Sequence, residues 1–442
     1  MKVGKIELTK TISTIPILFV LTCFLFVPNK TLAQSDQPVI QEKAESKIKF
    51  LAAAQFWGRY TDLNPGTTIQ GTPQSNVTDI AIRRFRIIAS GNINERWFVK
   101  FQLGANNLNY LNRNQVLRIL DVEAFYKVND WLQLGGGKTG YVGLSRYAAP
   151  ATSSALAHDI PIFNLPTVNI SDDLIRRMSL VGKGQLGKLD YRIILSRPVI
   201  PTSTVALSQY SEFEKRTPNY QKSAYFKYQF FDKESQNSAF TAATYFGKKK
   251  VINIGAGFLQ QNTATWQKNI NGDTLRHNLL LFATDFFLDL PLNTQNSKSI
   301  TFYTSYFNYD FGPGYLRNIG ANNAADGVQN GSFNGTGNSF PAVGTGSIWY
   351  SQLAYRFQLR NFIKGIESVQ PYFTIQNADY ERLNENMIMM DYGINIIMNG
   401  HDSKLTIGIQ DRPIFDYDSS NNLTVLQRKF MGVIQYQVKL RW

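Results

Sequence analysis

The sequence is poor in the residue types that most active sites and metal centres need. Its 442 residues include one cysteine and three histidines, and only 18% are Asp, Glu, Lys or Arg. Cys23 lies in an N-terminal apolar run expected to be removed on export, which leaves the mature chain without a thiol. Disulfide scaffolds, Cys-ligated zinc, iron–sulfur clusters and Cys nucleophiles are thereby excluded. His158, His277 and His401 stand far apart in the chain, and all three are expected in loops or turns. They are too few for a His-based metal site, and no cofactor is predicted. Past residue 33 there is no run of 18 apolar residues, so no transmembrane helix is expected. The mean hydropathy of −0.23 is likewise too polar for a helical membrane bundle.

At the N-terminus, Lys2, Lys5 and Lys10 precede an apolar stretch from Ile12 to Val27 that contains Pro16. Thr31-Leu32-Ala33 then leads into a polar tail from Gln34. This order of basic, apolar and small-residue regions marks residues 1–33 as a cleaved secretory signal, followed by a short periplasmic segment, 34–47. Cleavage removes four Lys and one Glu, which lowers the formal charge from +14 to +11. The exported chain is basic.

From residue 48 onward the dominant pattern is alternation. Trp97, Val99, Phe101 and Leu103 share one face while Lys100 and Gln102 share the other, the period of two that suits a strand lying between unlike solvents. Ala224, Phe226, Tyr228 and Phe230 oppose Ser223, Tyr225, Lys227 and Gln229 in the same way. Roughly ten-residue alternating segments flanked by Tyr and Trp are the signature of an outer-membrane barrel. The predicted fold is all-β: a transmembrane antiparallel up-and-down β-barrel of about 16 strands spanning 48–442, with 18 as the alternative count. An even count requires the segment 232–250 to be one longer periplasmic connection, with 238–246 not spanning. The long loops then fall at 61–78, 104–115, 139–176, 197–221, 261–277, 311–347, 381–386 and 411–428. Sixteen strands enclose an aqueous channel. Loop 139–176 carries Pro150, Pro161 and Pro166 and the apolar stretch Ile160 to Leu165, so it is expected to fold inward and narrow the pore. Loop 311–347 is Gly- and Asn-rich and reads as a flexible surface loop.

The chain ends with Tyr436, Val438, Leu440 and Trp442 on one face. An aromatic last residue on such a strand is read as the signal that hands a barrel to the outer-membrane insertion machinery. On the second strand Phe85, Ile87 and Ala89 face lipid, which puts Arg84 and Arg86 in the lumen, because an arginine on the lipid face costs roughly 2–4 kcal/mol at the midplane. Arg83 has the outward parity and is expected near the rim or shielded. By the same parity Lys100, Arg177, Lys183, Arg192 and Lys227 point inward and form a basic wall, partly neutralised by Asp121, Glu123 and Asp190. In the constriction loop the candidate residues are Arg146, Arg176 and Asp159.

Three stretches carry a family resemblance: Asp79-Ile80-Ala81-Ile82-Arg83-Arg84-Phe85-Arg86 with Gly91 and Trp97 to Phe101, Tyr126 to Leu134 before Gly135 to Gly137, and Gly182 to Arg192. From about residue 48 to the end the chain resembles the phosphate-selective porin O and P family, whose members share an Arg-Arg-x-Arg segment. The resemblance implies a 16-stranded, usually trimeric outer-membrane channel that favours anions. Phosphate-selecting members cluster lysines and arginines at the constriction. Here loop 139–176 has Arg146 and Arg176 but no lysine, and Asp159, Asp172 and Asp173 oppose them.

The expected function is passive diffusion of small polar solutes and anions through a water-filled, weakly anion-preferring porin. The expected partners are outer-membrane lipid, the insertion machinery and two further copies of the chain. The alternative is a barrel whose loops serve adhesion or assembly with little conductance. A more distant alternative is an outer-membrane hydrolase built on His158-Asp159 near Ser153 and Ser154. Nucleic acid is not an expected partner, because the basic residues are spread along strands rather than gathered in a surface patch.

Overall fold

Alternation of apolar and polar side chains decides which way each strand faces, and the computed structural model shows the result for residues 47–112, 116–202, 206–293, 298–329, 332–358 and 364–442. The expected signal peptide 1–33 and all but the last residue of the segment 34–47 lie outside the described residues. Sixteen long strands form one sheet. They are β1 Lys47–Asp62, β2 Asn76–Asn92, β3 Trp97–Leu108, β4 Arg118–Lys127, β5 Gln133–Thr139, β6 Arg177–Leu186, β7 Leu189–Arg197 and β8 Gln221–Gln229. The second half is β9 Val251–Lys268, β10 Thr274–Asn293, β11 Lys298–Asp310, β12 Gly346–Arg356, β13 Ser368–Tyr380, β14 Met387–Asn399, β15 Ser403–Tyr417 and β16 Leu423–Arg441. Each pairs antiparallel with the next, and β1 pairs with β16 from Leu51↔Arg441 to Thr61↔Met431, which closes the barrel and leaves no sheet edge. Among the described residues there is no α-helix, only short 3₁₀ turns.

On β6, Met178 and Leu180 are exposed on the outside while Arg177, Ser179, Val181 and Lys183 are buried on the inside. The same division runs round the barrel, with Phe101, Ile193, Phe226, Ile254, Phe282 and Phe373 among the exposed outer side chains. At β2 the alternation slips by one residue. Gln55 faces Arg84 and Phe56 faces Ile82, so Arg83 is the extra residue of a β-bulge. The bulge turns Arg83 inward beside Arg84, and both are buried, which corrects the outward parity expected for Arg83.

Short connections gather at the end that holds the C-terminus, and long ones at the other. Two expected loops are largely strand. β9 runs on to Lys268 and β10 starts at Thr274, while β15 and β16 continue to Tyr417 and from Leu423, so 261–277 and 411–428 are projecting hairpins. His277 accordingly lies within β10, paired with Thr265, and not in a loop.

Two connections enter the barrel. Segment 140–176 goes in from the long-loop end and is mostly buried. Val142, Leu144, Tyr147 and Phe163 pack against the inner faces of β10 to β12, where Tyr147 meets Tyr303 at 4.3 Å and Phe163 meets Phe307 at 5.1 Å. This is why the inward positions Phe287, Tyr303, Phe307 and Tyr350 are aromatic although that face had been expected to meet water. Glycines let the segment lie flat: a Cβ on Gly143 would stand 2.3 Å from Ala224 N, and one on Gly257 2.5 Å from Leu144 O. Segment 230–250 goes in from the short-turn end, burying Glu234, Ala239, Ala243 and Phe246, and differs from the simple connection expected there.

The connection 311–345 also differs from a flexible surface loop. Leu316–Ile319 pairs with Phe340–Gly344, and Gly327 and Val328 pair with Thr68 and Thr67 of the β1–β2 connection. Asn109 donates to Asn322 and to Asn323 O, and Tyr110 donates to Ala324 O, although the β3–β4 connection lies half-way round the barrel from β11–β12. Asn334 exchanges two bonds with the Phe415 backbone. Asparagine amides can satisfy backbone groups without a sheet ladder, so this polar loop is held across the mouth.

Candidate functional site

The barrel interior holds nearly all the charged candidates, and the inward segments decide what each one touches. Glu234 is the centre of the first cluster. Its carboxylate accepts from Arg146 Nη1 and Nη2 at 2.6 Å each, from Lys227 Nζ at 2.8 Å, from Asn253 Nδ2 at 2.6 Å and from Tyr245 OH at 2.5 Å. Arg146 comes from one inward segment and Glu234 from the other, so this ion pair ties the two together with β8 and β9. Burial opposes the charge on Glu234, but Arg146 and Lys227 outweigh it and hold the carboxyl well below its ordinary range.

A second cluster joins the segment to β2. Asp159 accepts from Arg83 Nε at 2.9 Å and Nη2 at 2.6 Å, and from Arg84 Nη2. Burial alone would raise the Asp159 carboxyl, yet the two guanidiniums hold it well below the carboxylate range. Beside it, burial pushes the His158 imidazole down to about 4, and Arg83, Arg59 and Arg84 act in the same direction against Asp159. His158 sits edge-on to Trp57 at 5.5 Å.

The remaining basic candidates are covered in turn. Lys100 and Arg176 share Asp121, at 2.8 and 3.0 Å. Arg177 donates to Asp172 at 3.0 Å and also to Thr167. Lys183 donates to Gln236 O at 2.7 Å and lies 3.8 Å from the Phe125 ring centroid, and Arg192 donates to Ala239 O at 3.2 Å. These residues point inward, but they meet the two segments rather than an open, water-facing wall. Charges on a lumen wall that a segment covers must be paired or bonded to carbonyls, because an uncompensated buried charge is very costly.

Arg86 is different. It is half-buried, and its guanidinium donates to Phe85 O at 2.7 Å, Ala105 O at 2.8 Å and Asn106 Oδ1 at 2.6 Å. Among the described residues no carboxylate pairs with it. Arg83, Arg84, Arg86 and Arg176 therefore converge with Asp159 and Asp121 as their carboxylate partners, and the group keeps an excess of positive charge.

Segment 140–176 also reaches the far wall. Asn395 Nδ2 on β14 donates to Leu156 O at 2.9 Å, Lys404 Nζ on β15 to Ala155 O at 2.6 Å, and Gln437 Nε2 on β16 to Ser153 O at 3.0 Å. Ser154 Oγ donates to Ala151 O and accepts from Ala243 N, so it makes no bond to His158. His401 stacks on Phe246 at 4.2 Å. The terminal residues Tyr436, Leu440 and Trp442 are exposed on the outer face, and Trp442 exchanges backbone bonds with Phe50 at the seam.

Sequence reasoning passed over Glu234 and Asp391 because Arg146 and His158, which they respectively meet, lie far away in the chain. One signal was present for Glu234. The run Ala239 to Phe246 holds Phe240, Tyr245 and Phe246, too apolar for a turn lying in water.

Among the solved structures that share this fold are these two. One is an OmpF of Salmonella typhi in complex with daunomycin, 10% identical over 89% of this chain and 98% of its own, with a TM-score of 0.50. The other is an anion-selective porin from Comamonas acidovorans, 9% identical over 90% of this chain and 100% of its own, also with a TM-score of 0.50. No protein-family model matches the chain, and no curated protein matches it. The chain has the closed, antiparallel 16-stranded barrel fold of these porins.

Proposed function

We propose that this chain is an outer-membrane porin that passes small polar solutes and anions by diffusion, with a weak preference for anions. The reading rests on one observation above all: a closed barrel with an apolar outer face whose interior gathers Arg83, Arg84, Arg86 and Arg176 with fewer carboxylates than guanidiniums. Positive potential in a confined path of low dielectric raises local anion concentration. The resemblance to the phosphate-selective porin O and P family agrees with it. Because Asp159 occupies Arg83 and Arg84, and Asp172 occupies Arg177, a general anion preference is favoured over phosphate capture. In this reading the signal peptide is cleaved, the short-turn end faces the periplasm, and three copies assemble. Recording in planar bilayers with KCl, potassium phosphate and neutral sugars tests it; a reversal potential set by the anion in a KCl gradient supports it, and a cation-set one overturns it.

A second reading has its own support. Segment 140–176 crosses the lumen from wall to wall, and 311–345 crosses the mouth. A barrel so filled suits a role in adhesion or assembly, and the absence of conductance in the same recordings would favour that role.

Two further outcomes are expected. Trp442→Ala should lower the yield of inserted barrel, read by heat-modifiable gel mobility, more than it changes the conductance of channels that insert. Equal yields would show that the terminal strand is an ordinary closing strand. Protonation of His158 should loosen segment 140–176. An unseated His158 takes a proton near its ordinary value of 6.5, whereas the seated one does so only at about 4. Between those values falling pH favours the unseated state by up to about 1.4 kcal/mol per pH unit. The depressed Asp159 and Glu234 carboxyls act in the same sense at lower pH, since what they contribute is present above their ordinary values and lost as pH falls through the folded ones. As the pH falls from 7 to 4.5, the conductance of the wild type should gain on that of His158→Gln, the difference reading the His158 contribution alone.

A further inference from the structure

At two places on the short-turn end, cations have carboxylates to hand. Lys127 stands 2.7 Å from Asp130 in the β4–β5 turn, and Asp402 of the β14–β15 turn accepts from Arg441 at 2.5 Å with Lys439 at 4.0 Å. The corner where β7, β8 and β9 meet is built differently. Lys188 of the β6–β7 turn comes together there with Lys233, Lys249 and Lys250 of segment 230–250. Gln229 N donates to Lys188 O at 2.9 Å and Asp232 N to Lys250 O at 3.0 Å, which ties the corner into one unit. Among the described residues no carboxylate forms an ion pair with any of the four lysines. Their ammoniums turn to carbonyls instead, Lys188 Nζ to Phe230 O at 2.9 Å and Lys249 Nζ to Lys233 O at 3.0 Å. A carbonyl orients an ammonium without cancelling its charge. Asp232 spends one carboxylate oxygen on the Lys250 backbone N–H at 2.8 Å, and Glu234 is turned into the lumen, where Arg146 and Lys227 hold it. Four lysines thus stand against a single aspartate.

The neighbours of these lysines fix their level in a bilayer. Phe226, Tyr228 and Phe230 follow one another along the outer face, all exposed, with Tyr228 edge-on to Phe230 at 5.0 Å. Phe231 is exposed beside them, and Lys250 Nζ stands 4.0 Å from its ring centroid. Exposed aromatic side chains at a barrel rim sit at the boundary between acyl chains and headgroups. Ammoniums just beyond that boundary lie at the depth of the lipid phosphates, with their stems along apolar surface. Lys250, placed over an outer ring, faces the membrane and not the lumen.

The charge then selects among lipids. A zwitterionic headgroup brings its own ammonium and gains little from four more, whereas a headgroup whose phosphodiester is its only charge is attracted by each of them. We propose that the β7–β8–β9 corner is a binding site for an anionic phospholipid, with the phosphodiester among Lys188, Lys233 and Lys250 and the acyl chains along Phe226, Tyr228 and Phe230. The proposal rests on the porin reading only in assigning this end of the barrel to the inner leaflet of the outer membrane.

Native mass spectrometry of the full-length protein in detergent, titrated with phosphatidylglycerol or phosphatidylcholine, reads the affinity of the first lipid bound. Wild type should bind phosphatidylglycerol at least tenfold more tightly than phosphatidylcholine. Lys188→Gln combined with Lys233→Gln and Lys250→Gln should bring the two lipids within about twofold, and arginine at the same three positions should restore the preference. Lys215→Gln with Lys222→Gln and Lys268→Gln removes as many charges at the long-loop end and should leave the preference intact. An equal loss in that variant would make the preference one of overall charge and overturn the proposal, as would a wild type that does not distinguish the lipids. If the wild type shows no lipid preference, yet sediments with isolated peptidoglycan through the same three lysines, the corner serves the cell wall and the lipid site falls. A lipid preference without conductance in planar bilayers leaves the site standing and removes the porin reading; conductance without the preference does the reverse.

Discussion

Glu234→Ala should raise the mean single-channel conductance several-fold and make segments 140–176 and 230–250 accessible to protease. The carboxylate is the shared partner of Arg146 and Lys227, and all three side chains are buried. Removing one member of a buried ion cluster leaves the others uncompensated and typically costs about 3–5 kcal/mol. The inward segments can relieve that cost by leaving the lumen, whereas the barrel wall, closed by its ladders, cannot. The loss should therefore appear as an opened channel rather than as an unfolded barrel, and heat-modifiable gel mobility should stay that of a folded one. The triple variant Arg146→Met, Lys227→Met, Glu234→Leu removes every charge together. Since apolar replacement of a whole buried cluster is often neutral, it should stay nearly as closed as wild type. If Glu234→Ala leaves conductance and protease resistance unchanged, the pair does not hold the segments.

The barrel itself was legible in the sequence because its cause is local. A strand with lipid on one side must alternate, and a slip of one residue would put Arg177 or Lys183 into lipid, so residues such as Met178 and Leu180 report their direction without knowledge of their neighbours. The count of sixteen followed from the need for an even number, and β8 and β9 stand on either side of the connection that was set aside on that ground. The interior was much less legible. Tyr303, Phe307 and Tyr350 obey the inward parity of their strands, yet they are apolar because Tyr147 and Phe163 cover them, and those partners come from about 140 to 200 residues away in sequence. Arg83 was misplaced because a bulge is a property of the pair β1–β2 and leaves no mark in β2 alone. The asparagines of 311–345 read as flexible because their partners, such as Asn109 on another connection and Phe415 on β15, are distant in sequence.

The arginine cluster provides the test that depends most directly on strand register. Replacing Arg84 and Arg86 together with alanine should shift the reversal potential in a KCl gradient toward the cation value. Arg83 and Asp159 would remain as a paired, neutral couple, and Arg176 would remain against Asp121. The two charges removed are those that give the group its excess, and Arg86 is the one without a carboxylate. Of the single variants, Arg86→Ala should therefore account for more of the shift, because Arg84→Ala also exposes Asp159 to fewer partners and slackens the seat of segment 140–176. The shift should be larger at low salt, since the screening length is only about 10 Å at 0.1 M and shortens as salt rises. Phe85 lies between the two arginines with the opposite parity, so Phe85→Ala should weaken the barrel through lost apolar contact and leave selectivity alone. If Phe85→Ala moves the reversal potential and the double arginine variant does not, then β2 is displaced by one residue and every inward assignment on it inverts.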